Sequence, residues 1–201
     1  MKTARLLSLL ALLGLLSACS GLSTTTAPSG TGDPKLWQAH HSELSKLHSW
    51  DISGKIAIRN SSNNGSGTLS WQQHHQLFDI RISGPLGQGA IQLRGDQHQI
   101  ELITSKQQLT SRQPETLMQQ QLGWSVPLNN LLWWIRGLPA PADKYTLELD
   151  DLSRAWKLQQ SQWQLEYLAY QTSQQGHSVP QRIRATGPNQ LQLIIMIKDW
   201  Q

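Results

Sequence analysis

From Trp50 onward the apolar residues fall at every second position. Trp50, Ile52, Gly54, Ile56 and Ile58 share one side, while Asp51, Ser53, Lys55 and Arg59 take the other. A period of two with one polar face describes a strand wet on one side only. The pattern returns through Leu69 and Trp71, then Phe78, Ile80 and Ile82, then Ile91 and Leu93, then Ile100 and Leu102, with Lys106 to Ser111 hairpinning back. It resumes over Tyr145 to Leu149, Arg154 to Gln159, Trp163 to Tyr170, Arg182 to Thr186 and Leu191 to Trp200, where Leu191, Leu193, Ile195 and Ile197 share a face. Short strands separated by turn residues make an antiparallel meander of about 11 strands. A single sheet of that size curls toward a barrel with its apolar face inside.

Residues 113–138 interrupt the alternation. Pro114 opens a helix carrying Leu117, Met118 and Leu122 with Gly123 placed to end it; Pro127 opens a second, with Gly137 at its end. The second carries Leu128, Leu131, Leu132, Trp133, Trp134 and Ile135 and is apolar nearly all round. Such a helix either needs cover on several sides or is itself a cover. The expected fold is mainly β with inserted helices: an incomplete, unclosed antiparallel β-barrel with a helical lid over a hydrophobic cavity. Nine Trp against one Phe suits a broad-walled cavity. Its expected wall includes Trp50, Ile52, Ile56, Trp71, Ile80, Trp133, Trp134, Trp163, Leu193 and Ile195.

The N-terminus is a targeting segment. Lys2 and Arg5 precede an apolar run, Leu6 to Leu16, too short for a permanent span. Leu16-Ser17-Ala18-Cys19 then resembles the lipobox of bacterial lipoproteins, which implies cleavage before Cys19 and acylation of its sulfur and new amine. Cys19 is the only cysteine, so a disulfide is excluded. Ser20 rather than Asp at the next position implies the outer membrane by the general sorting rule for such proteins. Residues 1–18 thus read as signal peptide, 19–33 as an acylated flexible tether poor in anything to bury, and 34–201 as one domain. Asp33 and Pro34 suit the start of a short helix with Trp37, His40, Leu44 and Leu47 at helical spacing. Without the signal, 15 cationic and 13 anionic side chains remain, a net +2 with no basic cluster, which gives nucleic-acid binding no support.

Ser83-Gly84-Pro85-Leu86-Gly87-Gln88-Gly89 sets a large apolar side chain inside a turn. A turn faces water. By composition alone Leu86 is tucked back or incidental, since scattered surface leucines are common.

Taken together, the lipobox, Trp50 with Gly54 to Ile58, Trp71-Gln72-Gln73, Ser83-Gly84-Pro85-Leu86-Gly87, Leu122-Gly123-Trp124 with Pro127-Leu128, Trp134-Ile135-Arg136-Gly137-Leu138-Pro139 and Lys198-Asp199-Trp200 resemble the LolB family of outer-membrane lipoprotein receptors. The resemblance implies an unclosed barrel with a helical lid. It implies an activity, too: accepting the acyl chains of cargo lipoproteins from the periplasmic carrier LolA and inserting them into the outer membrane, as a lipid-anchored monomer on its periplasmic face. It implies no cofactor and no catalysis. By position Leu86, with Pro85, Gly84 and Gly87, matches the family's protruding membrane-insertion loop. Two other classes stay open on the residues: an envelope scaffolding lipoprotein holding another protein in an apolar groove, and a lipid hydrolase. The hydrolase has no G-x-S-x-G or H-E-x-x-H behind it. Adjacent histidines in His40-His41 and His74-His75 point apart on a regular element, so no metal is expected.

Overall fold

A computed structural model describes residues 29–201 apart from 62, 63, 88 and 142, together with all but the side chain of Leu86. The signal peptide, Cys19 and most of the tether therefore lie outside the described residues. Twelve strands form one sheet: β1 (Ser29–Gly30), β2 (Ser49–Arg59), β3 (Asn64–His74), β4 (Leu77–Ser83), β5 (Ile91–Gly95), β6 (Ile100–Thr104), β7 (Gln108–Ser111), β8 (Tyr145–Leu149), β9 (Ala155–Gln160), β10 (Trp163–Thr172), β11 (Ser178–Thr186) and β12 (Gln192–Trp200). Their spatial order is β1-β8-β9-β10-β11-β12-β2-β3-β4-β5-β6-β7. The chain thus builds one half of the trough, crosses through its helices and builds the other. β12 pairs with β2 and joins the halves.

The sheet differs from the expected all-antiparallel array at one edge. β1 runs parallel to β8 and is the twelfth strand. The segment read as free tether through residue 33 is tied down from Ser29: Thr31 N–H donates to the Leu149 carbonyl at 3.3 Å and Asp33 N–H to Ser153 Oγ at 2.8 Å. Hydrogen bonds from backbone and side chains, not apolar burial, hold it. Gly30, at φ +101°, lies so close to β8 that a Cβ would come within 2.4 Å of the Leu149 carbonyl oxygen.

Among the described residues three α-helices accompany the sheet: α1 (Pro34–Ser45), α2 (Pro114–Leu122) and α3 (Leu128–Trp134). The Asp33 carboxylate caps α1 by accepting from Lys35 N–H at 2.7 Å, and Gly123 ends α2 in the left-handed conformation at φ 75°. α3 stops at Trp134, three residues short of Gly137, because residues 135–137 tighten into turns.

Strand registers define two rims. The β2–β3, β4–β5, β6–β7, β9–β10 and β11–β12 connections share one, the loop rim. The β3–β4, β5–β6, β8–β9 and β10–β11 connections and the start of β2 share the far rim. Because β1 parallels β8, its N-terminal end faces the loop rim. α1 lies along the far rim, from Ser153 after β8 to His177 after β10, where Glu43 meets the imidazole at 2.5 Å. α2 runs from the far rim to the loop rim, where the Gly123 carbonyl accepts from Asn60 Nδ2 at 3.3 Å. α3 returns.

Candidate functional site

The candidate site is the concave interior. Trp50, Ile52, Ile56, Trp71, Ile80, Trp134, Trp163, Leu193 and Ile195 are all buried in one continuous apolar cluster. Alternation explains the strand residues: each sits on the inward parity of its strand. α2 and α3 add Leu117, Met118, Leu128 and Leu132 to the same cluster. The expected cavity is therefore filled in this closed form, with the helices' own side chains packed where a guest chain would lie. Trp133 differs from the rest. It is half-buried, and its ring carries the Arg136 guanidinium 4.5 Å from the centroid.

Seven of the nine tryptophans are buried, so tryptophan is the main lining material. Near the far rim Trp50 touches Trp71 and Trp200, with ring centroids 4.9 and 5.2 Å apart. Toward the loop rim Trp134 on α3 meets Trp163 on β10 at 5.8 Å. A buried indole N–H needs an acceptor. Trp71 donates to Gln73 Oε1 at 3.2 Å, Trp134 to Gln160 Oε1 at 2.9 Å and Trp200 to the Pro180 carbonyl at 3.1 Å.

Buried polar residues that the strand pattern does not reveal hold the helices in place. Gln160 clamps α3 and the chain after it: its Oε1 also accepts from Ala140 N–H at 2.8 Å, and its Nε2 donates to the Ala140 and Asp143 carbonyls at 2.7 and 2.9 Å. Arg136 joins α3 to α1. Its Nη1 donates to the carbonyls of Leu44 and Leu47 at 3.1 and 2.9 Å, and its Nε to that of Leu132 at 3.1 Å. Burial lowers the Arg136 pKa to about 10, and the negative C-terminal end of α1 is what it faces. Tyr167 donates to the Trp134 carbonyl at 3.0 Å, and burial pushes its phenol well up. Each buried ionisable group named here is spent on a backbone carbonyl, leaving a surface suited to holding apolar chains. Among the described residues no three His, Cys, Asp or Glu side chains cluster as metal ligands would, and no helix is long and apolar enough to cross a membrane.

The loop rim is tied by polar contacts. Asn130 Nδ2 donates to Asp143 Oδ2 at 3.1 Å and to Ser161 Oγ at 2.9 Å, and Ser161 closes the triangle onto Asp143. Hydrogen bonds from Ser161 and Asn130 lower the Asp143 pKa. Glu115 Oε1 accepts from Leu128 N–H at 3.3 Å, linking the two helices. A depression of 430 Å³, with Trp124, Pro127, Trp163 and Leu191 among its walls, opens at this rim. The Ser83–Gly89 turn is at the same rim. Pro85–Gly87 forms one 3-10 turn, closed by Gly87 N–H on the Gly84 carbonyl at 3.1 Å, and Gly87 at φ 76° has open space around it.

An unclosed antiparallel barrel curled around a tryptophan-lined interior, stoppered by its own helices, belongs to the class of hydrophobic-cargo binders. Solved structures share the fold: a LolA superfamily protein from Nitrosomonas europaea (TM-score 0.56, 10% identity, covering 82% of this chain and 92% of that one) and a putative outer membrane lipoprotein-sorting protein domain from Vibrio parahaemolyticus (TM-score 0.55, 7% identity, 83% and 90%). Residues 48–200 match the family described as outer membrane lipoprotein LolB, and the chain belongs to that family. The outer-membrane lipoprotein LolB of Pseudomonas savastanoi pv. phaseolicola is 45% identical over 191 residues, covering 94% of this chain and 92% of the relative. LolB of Pseudomonas aeruginosa PAO1 is 44% identical over 190 residues with the same coverage.

Proposed function

We propose that this chain receives acylated lipoproteins from the periplasmic carrier LolA into its hydrophobic interior and inserts them into the outer membrane. It works there tethered through an acylated Cys19 on the periplasmic face, without cofactor or catalysis. The observation that carries this reading is the continuous apolar interior, closed toward the loop rim by a few polar contacts. A triacylated cysteine holds roughly 40 methylenes, on the order of 30 kcal/mol against water at ~0.8 kcal/mol each. Free diffusion is closed to it, so cargo must pass from one apolar site to the next. Withdrawal of α2 and α3 exposes the strand wall, including Trp50, Ile52, Ile56, Trp71, Ile80, Trp163, Leu193 and Ile195, with Trp133 and Trp134 moving with the lid.

Leu86, with Pro85, Gly84 and Gly87, is the membrane-insertion loop of this reading. Both the loop rim position of this turn and the orientation of β1 toward the same rim support it. One leucine entering the acyl region gains about 1.5–3 kcal/mol, enough to orient a tethered domain and not to anchor it. The test is a transfer assay: carrier loaded with labelled lipoprotein, then the full chain, then liposomes. Label should pass to the chain and on to the liposomes. In Leu86→Glu the first step should stay near wild type while the second slows. Label that never leaves the carrier would sink the proposal, and equal loss of both steps would make Leu86 structural.

A further inference from the structure

The outer face of β2, β11 and β12 carries a feature that cargo transfer does not use. Two depressions, of 620 and 630 Å³, meet at Lys55, Thr68 and Met196. The first reaches the Gly84–Gly87 turn, and the second extends to Arg182 and Lys198. Across the strands a single row runs from Ser83 through Thr68, Lys55 and Met196 to Arg182. Met196 is 53% exposed in the middle of it.

Four cations of the outer strand faces oppose acids: Arg184 pairs with Glu166, Lys157 with Glu148, Arg94 with Glu101 and Arg81 with Asp79, while Arg59, at the end of β2, takes part in no ion pair among the described residues. Lys55, Arg182 and Lys198 take no part in any ion pair among the described residues. Lys55 Nζ donates to Thr68 Oγ1 at 2.9 Å, and Asp199, the carboxylate in the neighbouring register, accepts from Ser53 Oγ at 2.7 Å. Three unneutralised cations around an exposed methionine match an anionic amphiphile.

We propose that this face binds the headgroup of an anionic phospholipid at the bilayer surface. Lys55, Arg182 and Lys198 take the phosphate, and Met196 and Ile194 lie against the glycerol and first methylenes. The proposal rests on the membrane-facing reading of the Leu86 turn, with which the groove is continuous. Together they lay the domain on the bilayer along one flank, turn first.

The test uses residues 19–201 carrying Cys19→Ser, which removes both the apolar signal segment and the acyl anchor that would hold the protein to any vesicle. It is sedimented with vesicles of phosphatidylcholine alone or with phosphatidylglycerol added. Phosphatidylglycerol should raise binding, and high salt should abolish the gain. Each of Lys55→Gln, Arg182→Gln and Lys198→Gln should lower the phosphatidylglycerol-dependent binding about five-fold, and the triple variant about a hundred-fold, from roughly one kcal/mol per surface cation. Lys35→Gln with Lys46→Gln, on the far rim, should leave the preference unchanged. Near-UV dichroism of the buried tryptophans confirms that every variant is folded. A triple variant that keeps the preference, an equal loss in the far-rim variant, or displacement by millimolar inorganic phosphate would each overturn the headgroup site. Leu86→Gln, which adds no charge, should weaken binding to both vesicle types by the same factor; its failure to do so counts against the turn and leaves the cation result standing.

Discussion

The two ends of the interior are closed by different physics. At the far rim the closure is area and buried polarity: Trp50 packs at a tilt against Trp71 and Trp200, and Arg136, only 6% exposed, grips the carbonyls at and just past the end of α1. At the loop rim the buried Trp134–Trp163 pair and the Gln160 clamp lie beneath an outer layer of hydrogen bonds, Asn60 to Gly123, Leu128 to Glu115 and Asn130 to Asp143 and Ser161. Water can replace a hydrogen bond for a net of about 0.5–1.5 kcal/mol, whereas exposing buried tryptophans costs several times that. For the helix withdrawal proposed above, the far rim is the hinge and the loop rim the door. The door is on the rim that carries the Leu86 turn.

The sharpest way to break that contrast is at the hinge. Trp71 is 2% exposed and bonded through Gln73, so Trp71→Ala should cost about 3–5 kcal/mol, read as a lower denaturation midpoint. A midpoint near wild type would mean that the far rim is not braced by its tryptophans. Arg136→Met should cost less, about 1–3 kcal/mol, since it keeps the bulk and removes the side-chain donor from the Leu44 and Leu47 carbonyls, of which Leu44 keeps its backbone donor Leu47 N–H. Amide exchange in the last turn of α1 should quicken in this variant. Unchanged exchange there would separate Arg136 from α1.

These ends were unequally legible in the sequence. Strands β2 to β12 follow from alternation, since burial of one face imposes the period of two. Helix limits at Asp33, Pro114 and Gly123 follow from capping chemistry. β1 left no such trace, because two residues paired through their backbones need no apolar pattern, and Gly30 shows only in its close approach to Leu149. The clamps were hidden for another reason. Gln160 sits in Gln159-Gln160-Ser161-Gln162, where nothing local marks one glutamine as buried, and its four hydrogen bonds reach three residues, Trp134, Ala140 and Asp143, 17 to 26 positions away along the chain. Arg136 lies within Trp134-Ile135-Arg136-Gly137-Leu138-Pro139, yet its partners Leu44 and Leu47 are 92 and 89 residues distant. Periodicity reports a face; it cannot report which distant carbonyl a side chain meets.

The door yields a smaller effect with a functional signature. Asn130→Ala removes both donors that tie α3 to Asp143 and Ser161 and should cost about 1 kcal/mol. If the loop rim is the opening end, an apolar fluorescent probe should enter the variant faster than wild type. Arg136→Met, although less stable, should not accelerate entry to the same degree. Equal acceleration in both would erase the distinction between hinge and door.

The smallest expected effect is set by pH, and it separates the ends by where each titrates. At the hinge, His40 on α1 has its pKa lowered from 6.5, first by desolvation, with Arg154 and His41 adding to the fall and Glu43 and Asp150 opposing it. Its buried Nε2 has no hydrogen-bond partner. A base with a lowered folded pKa binds fewer protons folded than unfolded, so stability rises with pH across that interval and falls as pH drops from 6.5 through the folded value. At the door, Asp143 has its pKa lowered from 3.8 by its two hydrogen bonds, so its contribution is intact above that value and lost only as pH falls through the lowered one. Mild acid should therefore loosen the hinge while the door's own contacts persist, the reverse of the order at neutral pH. Urea midpoints at pH 7 and pH 5 should differ in wild type and differ less in His40→Leu. Asn130→Ala should retain the full wild-type difference, because the group it disturbs does not titrate in that range; a flattened profile there would tie Asp143 to the mild-acid transition after all.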